Sequence, residues 1–237
     1  MADIHGTTQV TRFRDRSEAG RRVAERLRHF RGREDAVVLG LPRGGVPVAY
    51  EVARELGVPL DVYVVRKLGL PGHEELAFGA IATGGVRVLN KELIERLHMP
   101  AEWIDAIDAK ERRELERRER VYRGERPPTD LAGRTVILVD DGLATGSTML
   151  AAVEAVRQDD PARVVVAVPV AAPEVCRALQ EVADEAVCVA TPQPMRAVGL
   201  WYDDFSQTSD EEVRELLAKA ASAAADPGAA GEPRPRE

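Results

Sequence analysis

The chain has 237 residues, with 40 acidic against 33 basic side chains and a formal net charge of −7. That balance argues against generic binding to the phosphate backbone of nucleic acid. A hydrophobic content of 44% supports a real core, enough for one α/β domain with appendages or at most two small domains, and no run approaches the ~18 apolar residues of a membrane span.

In chain order, MADIHGTTQVTRFRDR lacks the apolar core of a secretion signal, so a cytoplasmic protein is expected. Residues 17–30 predict an amphipathic helix with Ser17 as N-cap and Val23, Leu27 and Phe30 on one face. AVVLGL (36–41) predicts a short buried strand, followed by PRGG and a helix that ends at Gly57. PLDVYVVRKL (59–68) predicts the second strand, completing a β–α–β unit with a right-handed crossover. Residues 69–134 interrupt this alternation. They hold a hairpin around Thr83-Gly84-Gly85, then two helices, ELIERLHM and AEWIDAIDAKERRELERRERVYRG. The run KERRELERRER reads most simply as a salt-bridged exposed helix. TVILVDD (135–141) resumes the sheet, with a helix at 147–158, a strand at 162–170, a helix at 173–183 and a strand at 185–190. A last helix spans 209–222 with Ser209 as N-cap, and the Pro/Gly/Ala-rich residues 223–237 predict a disordered tail. The sum is a mostly parallel sheet with helices on both faces.

Cys176 and Cys188 are too few for a disulfide framework or a metal site and read as reduced packing residues. His5, His29, His73 and His98 lie far apart without ligand spacing, which argues against a structural zinc site.

TVILVDDGLATGSTMLAAV (135–153) carries the most chemistry. A buried strand runs into two adjacent carboxylates, Asp140 and Asp141, which can accept hydrogen bonds from vicinal hydroxyls. Gly142 to Thr148 then offers backbone N–H groups and three hydroxyls at a helix N-terminus, a ready anion site. This is not a Walker A loop: only three residues separate Gly142 from Gly146, and no Lys precedes Ser147. A cradle that draws its positive field from amides and the helix dipole suits one terminal phosphate better than a triphosphate.

VILVDDGLATGST closely resembles the phosphoribosyl-pyrophosphate motif of type I phosphoribosyltransferases: an apolar strand, two acids, and a Thr-Gly-Ser-Thr phosphate loop. The resemblance implies a type I phosphoribosyltransferase fold. In this chain that would be a single domain over 1–222, with a small hood from 1–30 and 191–208 and a lid insertion within 69–134. It further implies that Gly142, Ala144, Thr145, Gly146, Ser147 and Thr148 line the phosphate site. Asp140 and Asp141 would bind the ribose hydroxyls directly or through Mg²⁺, with those two acids as metal ligands. Pro42-Arg43-Gly44-Gly45 looks like the family's pyrophosphate loop, with one peptide expected to be non-trans. Of Arg66 and Lys67, strand alternation lets only one face the ligand, and Lys67 is favoured by resemblance. PRGG, RKL and DDGLATGST are all expected at the carboxyl edge of the sheet, where α/β folds bind ligands. Arg43, Lys67 and Asp141 are the expected catalytic groups.

The resemblance implies a Mg²⁺-dependent transfer of ribose 5-phosphate from phosphoribosyl pyrophosphate to a nucleobase-like acceptor, by a homodimer. Hypoxanthine/guanine-type members carry an acid where this chain has Ala144, which weighs against a 6-oxopurine. Val198 to Phe205 looks like the part of the purine-salvage pattern that holds the base. The usual stacking aromatic is replaced by Arg196, whose guanidinium plane could stack instead; alternatively Trp201, Tyr202 and Phe205 pack a hood over the sheet. His73, Glu74 and Glu75 are acid/base candidates in the lid, with a solvated loop as the simpler reading. Two other functions stay open: a non-catalytic sensor of phosphoribosyl pyrophosphate, and an enzyme acting on another phosphorylated sugar.

Overall fold

Val37, Leu39, Val136, Leu138, Val164 and Val166 point to one side of a sheet, and Val38, Ile137, Val139, Val165 and Ala167 to the other. A strand buried on both faces must be apolar at every position, which explains the continuous runs AVVLG and TVILV. In the computed structural model, which describes residues 12–70 and 73–225, these runs form β1 (Ala36–Gly40) and β6 (Thr135–Val139). They pair with β2 (Leu60–Val62), β7 (Arg163–Val170) and β8 (Glu185–Ala190) in a five-stranded parallel sheet of order β2-β1-β6-β7-β8.

Helices α1 (Arg16–Arg26) and α2 (Gly45–Leu56) cover one face through Val23, Val48, Val52 and Leu56. Helices α5 (Ser147–Val156) and α6 (Pro173–Val182) cover the other through Met149, Ala152, Val153 and Leu179. The expected α/β class, with helices on both faces, is therefore the observed one. Helix α1 starts earlier than the sequence predicts. Asp15, not Ser17, is the N-cap: its Oδ1 accepts from the Glu18 N–H at 2.7 Å, while Glu18 Oε2 accepts from the Arg14 N–H at 2.7 Å. This exchange resembles a capping box, with Glu18 reaching back to the N–H one residue before the cap; it satisfies two donors at once, so it outcompetes a lone serine. Val23, Leu27 and Phe30 are fully buried as expected, the last in a 3-10 turn after the helix.

The predicted strand 59–68 is two strands in two sheets. After β2 the chain leaves the parallel sheet at Tyr63, whose N–H still donates to Gly40 O. Val64 then turns to Thr83, donating to its Oγ1 at 2.9 Å and accepting from its N–H at 2.9 Å. From there β3 (Val65–Leu70) pairs antiparallel with β4 (His73–Ala82), and β4 with β5 (Arg87–Leu89). Valine-rich periodicity does not register such a handover, because both strands are equally apolar.

The predicted turn at Thr83-Gly84-Gly85 joins β4 to β5. Helices α3 (Lys91–Arg96) and α4 (Ala101–Arg123) follow, and α4 is laced with ion pairs such as Arg117 and Arg118 to Glu114. Most of 69–134 is thus packed structure. Leu68, Phe78, Ile81, Ile104, Leu115 and Tyr122 share a third core cluster with Val213 and Leu217 of α7 (Asp210–Ala225). The buried Arg123 guanidinium, bound to Asp61 and to Val62 O, pins the end of α4 to edge strand β2. Ser209 caps α7 as expected, accepting from the Glu212 N–H at 3.0 Å. That helix continues to Ala225, so the expected tail begins later than residue 223, and residues 226–237 lie outside those described. Residues 1–11 of the expected hood, and the side chains of His73, Glu74 and Glu75, also lie outside them.

Cys176 and Cys188 are joined in a disulfide, not reduced. Helix α6 returns across the sheet beside β8, which places Cys176 of its first turn opposite Cys188 with 6.4 Å between Cα atoms. A bridge across a 12-residue separation stabilises by about 3 kcal/mol when it mainly restricts the unfolded chain. Urea unfolding with and without reductant should therefore show a loss of that order, matched by Cys188→Ser in oxidising buffer; a midpoint indifferent to reduction would contradict this role.

Candidate active site at the β1–β6 crevice

In the order β2-β1-β6-β7-β8, the chain after β1 proceeds toward one sheet edge and after β6 toward the other. The loops that leave β1 and β6 therefore diverge and open a crevice at their carboxyl ends, where open α/β sheets bind ligands. The two loops in question are Leu41–Gly44 and Asp140–Gly146, so PRGG and DDGLATG face each other by topology. The Pro42–Arg43 peptide is cis, in agreement with the expected non-trans bond.

The loops are in close contact. A Cβ on Gly44 would collide with the Asp141 carboxylate, and one on Gly45 would lie 2.7 Å from Val139 O and 2.8 Å from Asp140 Cα. Only glycine lets this backbone approach the acids so nearly. Strand β6 ends at Val139, so Asp140 and Asp141 are free of strand alternation and share one locality. Asp140 Oδ1 accepts from the Asp141 N–H at 2.8 Å. Asp141 Oδ2 accepts from Arg16 Nε at 2.9 Å and is ion-paired with Arg16 Nη2, also at 2.9 Å. Burial, reinforced by the neighbouring Asp141 charge, holds the Asp140 carboxyl well above the usual carboxylate range. Burial also raises Asp141, against the opposing pull of the Arg16 guanidinium. Two crowded acids with one paired cation form a site that favours further positive charge or hydrogen-bond donors.

Beyond the acids, Leu143 anchors the loop: it is buried and donates to Val170 O at 2.9 Å. Gly146 caps α5 in the left-handed region, φ 70°, with Val175 of α6 packed where a side chain would go. Ala144, Thr145 and Thr148 are exposed around the helix start, and Thr145 Oγ1 lies 3.3 Å from Ser147 Oγ. The first N–H groups of α5 have no acceptor within the helix, and no acid occupies its first turn.

Lys67 is not at a parallel-strand terminus, as expected for RKL, but on β3 of the second sheet. The alternation still separates the basic pair. Arg66 turns to Glu111 of α4, and Lys67 Nζ lies 3.4 Å from Ser147 Oγ of the phosphate loop. Arg43 reaches away from the acids, with Nη1 3.8 Å from Asp210 Oδ1, which also accepts from the Tyr122 hydroxyl at 2.9 Å.

The two chain segments expected to form a hood pair with each other. Phe13 N–H donates to Trp201 O at 2.8 Å, and Asp203 N–H returns to Phe13 O at 2.8 Å. The Tyr202 hydroxyl donates to the Asp141 carbonyl at 2.5 Å, so the hood is fixed to the acid pair. Tyr202 is buried and stacks at a tilt on Phe13 and Phe205. Arg196 is exposed and takes no part; the guanidinium that stacks is that of Arg16, 4.0 Å from the Phe205 ring centroid. Arg16 was missed in the sequence because its partner lies 125 residues away and no local spacing links them. Among the described residues no cluster of three or more His, Cys, Asp or Glu side chains could hold a metal by itself.

A glycine turn thus lies against two carboxylates at the switch point of the sheet, beside a helix N-terminus. Comparison with known proteins assigns the family. Residues 7–191 match the family profile described as phosphoribosyl transferase domain, and the chain belongs to that family. A protein of Mycobacterium tuberculosis, provisionally named a phosphoribosyl transferase, is 47% identical over 217 residues, 92% of this chain and 49% of its own length. The chain thus spans about half the length of the curated relatives it matches. The crystal structure of the protein TT1426 from Thermus thermophilus superposes with a TM-score of 0.80 at 47% identity, over 88% of this chain and 99% of that one.

The tight approach at Gly44 yields a direct test. Gly44→Ala forces the acid pair or the turn to move and should cost about 1–3 kcal/mol, the usual range for overpacking. Urea denaturation measures it; a variant as stable as the parent would show that the loops do not touch.

Proposed function

We propose that the protein transfers ribose 5-phosphate from phosphoribosyl pyrophosphate to a nitrogenous base and releases pyrophosphate. The observation that carries this reading is the contact of the Pro42–Gly45 turn with Asp140 and Asp141 at the switch point, beside the start of α5. A diphosphate, two ribose hydroxyls and a 5-phosphate require three adjacent subsites, and these segments offer them in that order.

The amides of Gly142 to Ser147, with the hydroxyls of Thr145, Ser147 and Thr148, hold the 5-phosphate. Asp140 and Asp141 accept the ribose hydroxyls. The glycines of the turn bring amides close to the diphosphate. Arg43 exchanges its loose 3.8 Å contact with Asp210 for a forked contact to the same group, and Lys67 approaches from the hairpin. Asp140 and Asp141 would hold a Mg²⁺ ion together with the substrate, since two carboxylates plus substrate suffice for this ion, and the ion would supply positive charge to the leaving diphosphate. The raised, crowded carboxyls of Asp140 and Asp141 fit such a cation. As the C1–oxygen bond breaks, the ribose gains positive charge and the diphosphate negative charge. The acids lie beside the first and the basic groups beside the second, an electrostatic mechanism.

Incubation with phosphoribosyl pyrophosphate, Mg²⁺ and a panel of bases tests the reading. Pyrophosphate release with one base is the expected result. Tight binding without release would favour a sensor, and no binding would defeat both. In the same assay Asp141→Asn should lose about 10- to 100-fold in affinity or turnover, because a charged hydrogen bond contributes ~1.5–3 kcal/mol; unchanged constants would refute the role given to that acid.

A further inference from the structure

Each carboxylate of the pair has one oxygen committed inside the protein. Asp140 Oδ1 accepts the Asp141 N–H, and Asp141 Oδ2 accepts the Arg16 Nε–H and is ion-paired with Nη2. Among the described residues, Asp140 Oδ2 and Asp141 Oδ1 accept nothing, and neither is a sealed orphan. The site therefore presents two open acceptors, the number that a pair of vicinal hydroxyls requires.

What fixes the second of these is Arg16. Its side chain is only 12% exposed. Nη1 donates to Ser206 O at 2.7 Å, and the guanidinium lies 4.0 Å from the Phe205 ring centroid, a stacking contact that favours arginine over lysine. The helix that bears it is capped at Asp15, one residue before. Arg16 is thus held at its base, along its plane and at its tip. On its other side Asp141 is confined by the Gly44 backbone and by the Tyr202 hydroxyl on its own carbonyl.

We infer that Arg16 is a positioning residue that sets recognition of the sugar hydroxyls: by occupying Asp141 Oδ2 it turns Oδ1 toward the ligand. This rests on the proposed function and extends it, since it assigns discrimination between ribose and deoxyribose phosphates to a residue that touches neither. Without Arg16 the Asp141 carboxylate rotates, loses its fixed acceptor and ceases to distinguish a hydroxyl from a hydrogen.

Calorimetric titration with ribose 5-phosphate, 2-deoxyribose 5-phosphate and 3-deoxyribose 5-phosphate tests this, using the full chain, Arg16→Met and Arg16→Lys. The parent should bind ribose 5-phosphate about 10-fold or more tighter than either deoxy sugar. In Arg16→Met at least one of the two preferences should fall below about 3-fold. Arg16→Lys keeps the charge without the fork and should lie between. If Arg16→Met weakens all three ligands equally and keeps both preferences, Arg16 merely supports the hood and the inference fails while the proposed function stands. If Arg16→Met is too unstable to titrate, full retention of both preferences in Arg16→Lys overturns the inference. A parent that binds none of the three sugars, or that binds all three alike, removes the hydroxyl contacts of the proposed function and the inference with them.

Discussion

The approach of the Pro42–Gly45 turn to Asp140 and Asp141 is the constraint on which the rest of the site depends. It exists because β1 and β6 are neighbours whose following loops diverge. It is permitted because positions 44 and 45 lack side chains that would strike the acids. Once the two loops are this close, the start of α5, the acids and the turn lie within the reach of one small ligand. Of the groups assigned to the sugar phosphate, only Lys67, carried by β3 of the second sheet, takes its place from elsewhere.

Around it the protein has arranged an unequal charge balance. Two half-buried acids meet a single guanidinium, and burial raises both of them. Isolated buried charge is costly, so such a pair is tolerated where a ligand or cation completes it. The aromatic residues Phe13, Tyr202 and Phe205 do not supply an open wall; Tyr202 is fixed to the backbone of Asp141 and Phe205 carries Arg16. This aromatic cluster is therefore an extension of the acid pair, not a separate layer above it.

Local chemistry was the part of this architecture that could be read in the sequence. The buried runs AVVLG and TVILV, the glycine turn and the Asp140–Thr148 motif each announce their conformation within a dozen residues, and each is found where its pattern places it. What depended on distant partners was not legible. The chain 59–68 looks like one strand because β2 and β3 are equally apolar, and only Thr83 reveals the handover at Val64. Cys176 and Cys188 read as ordinary packing residues because only the placement of α6 beside β8 brings them together. Arg16 sits in the arginine-rich stretch FRDRSEAGRR, where nothing separates it from solvent-exposed neighbours such as Arg14 except its tertiary contacts.

The proposed function requires that a sugar 5-phosphate sit on the first amides of α5 while its ring hydroxyls meet Asp140 and Asp141. A crystal structure of the full chain grown with phosphoribosyl pyrophosphate and Mg²⁺ measures this directly. The 5-phosphate should lie within hydrogen-bond distance of the Thr145–Ser147 amides, with both ring hydroxyls on the acid pair. A ligand lodged elsewhere, or one that leaves the two aspartates untouched, would contradict it.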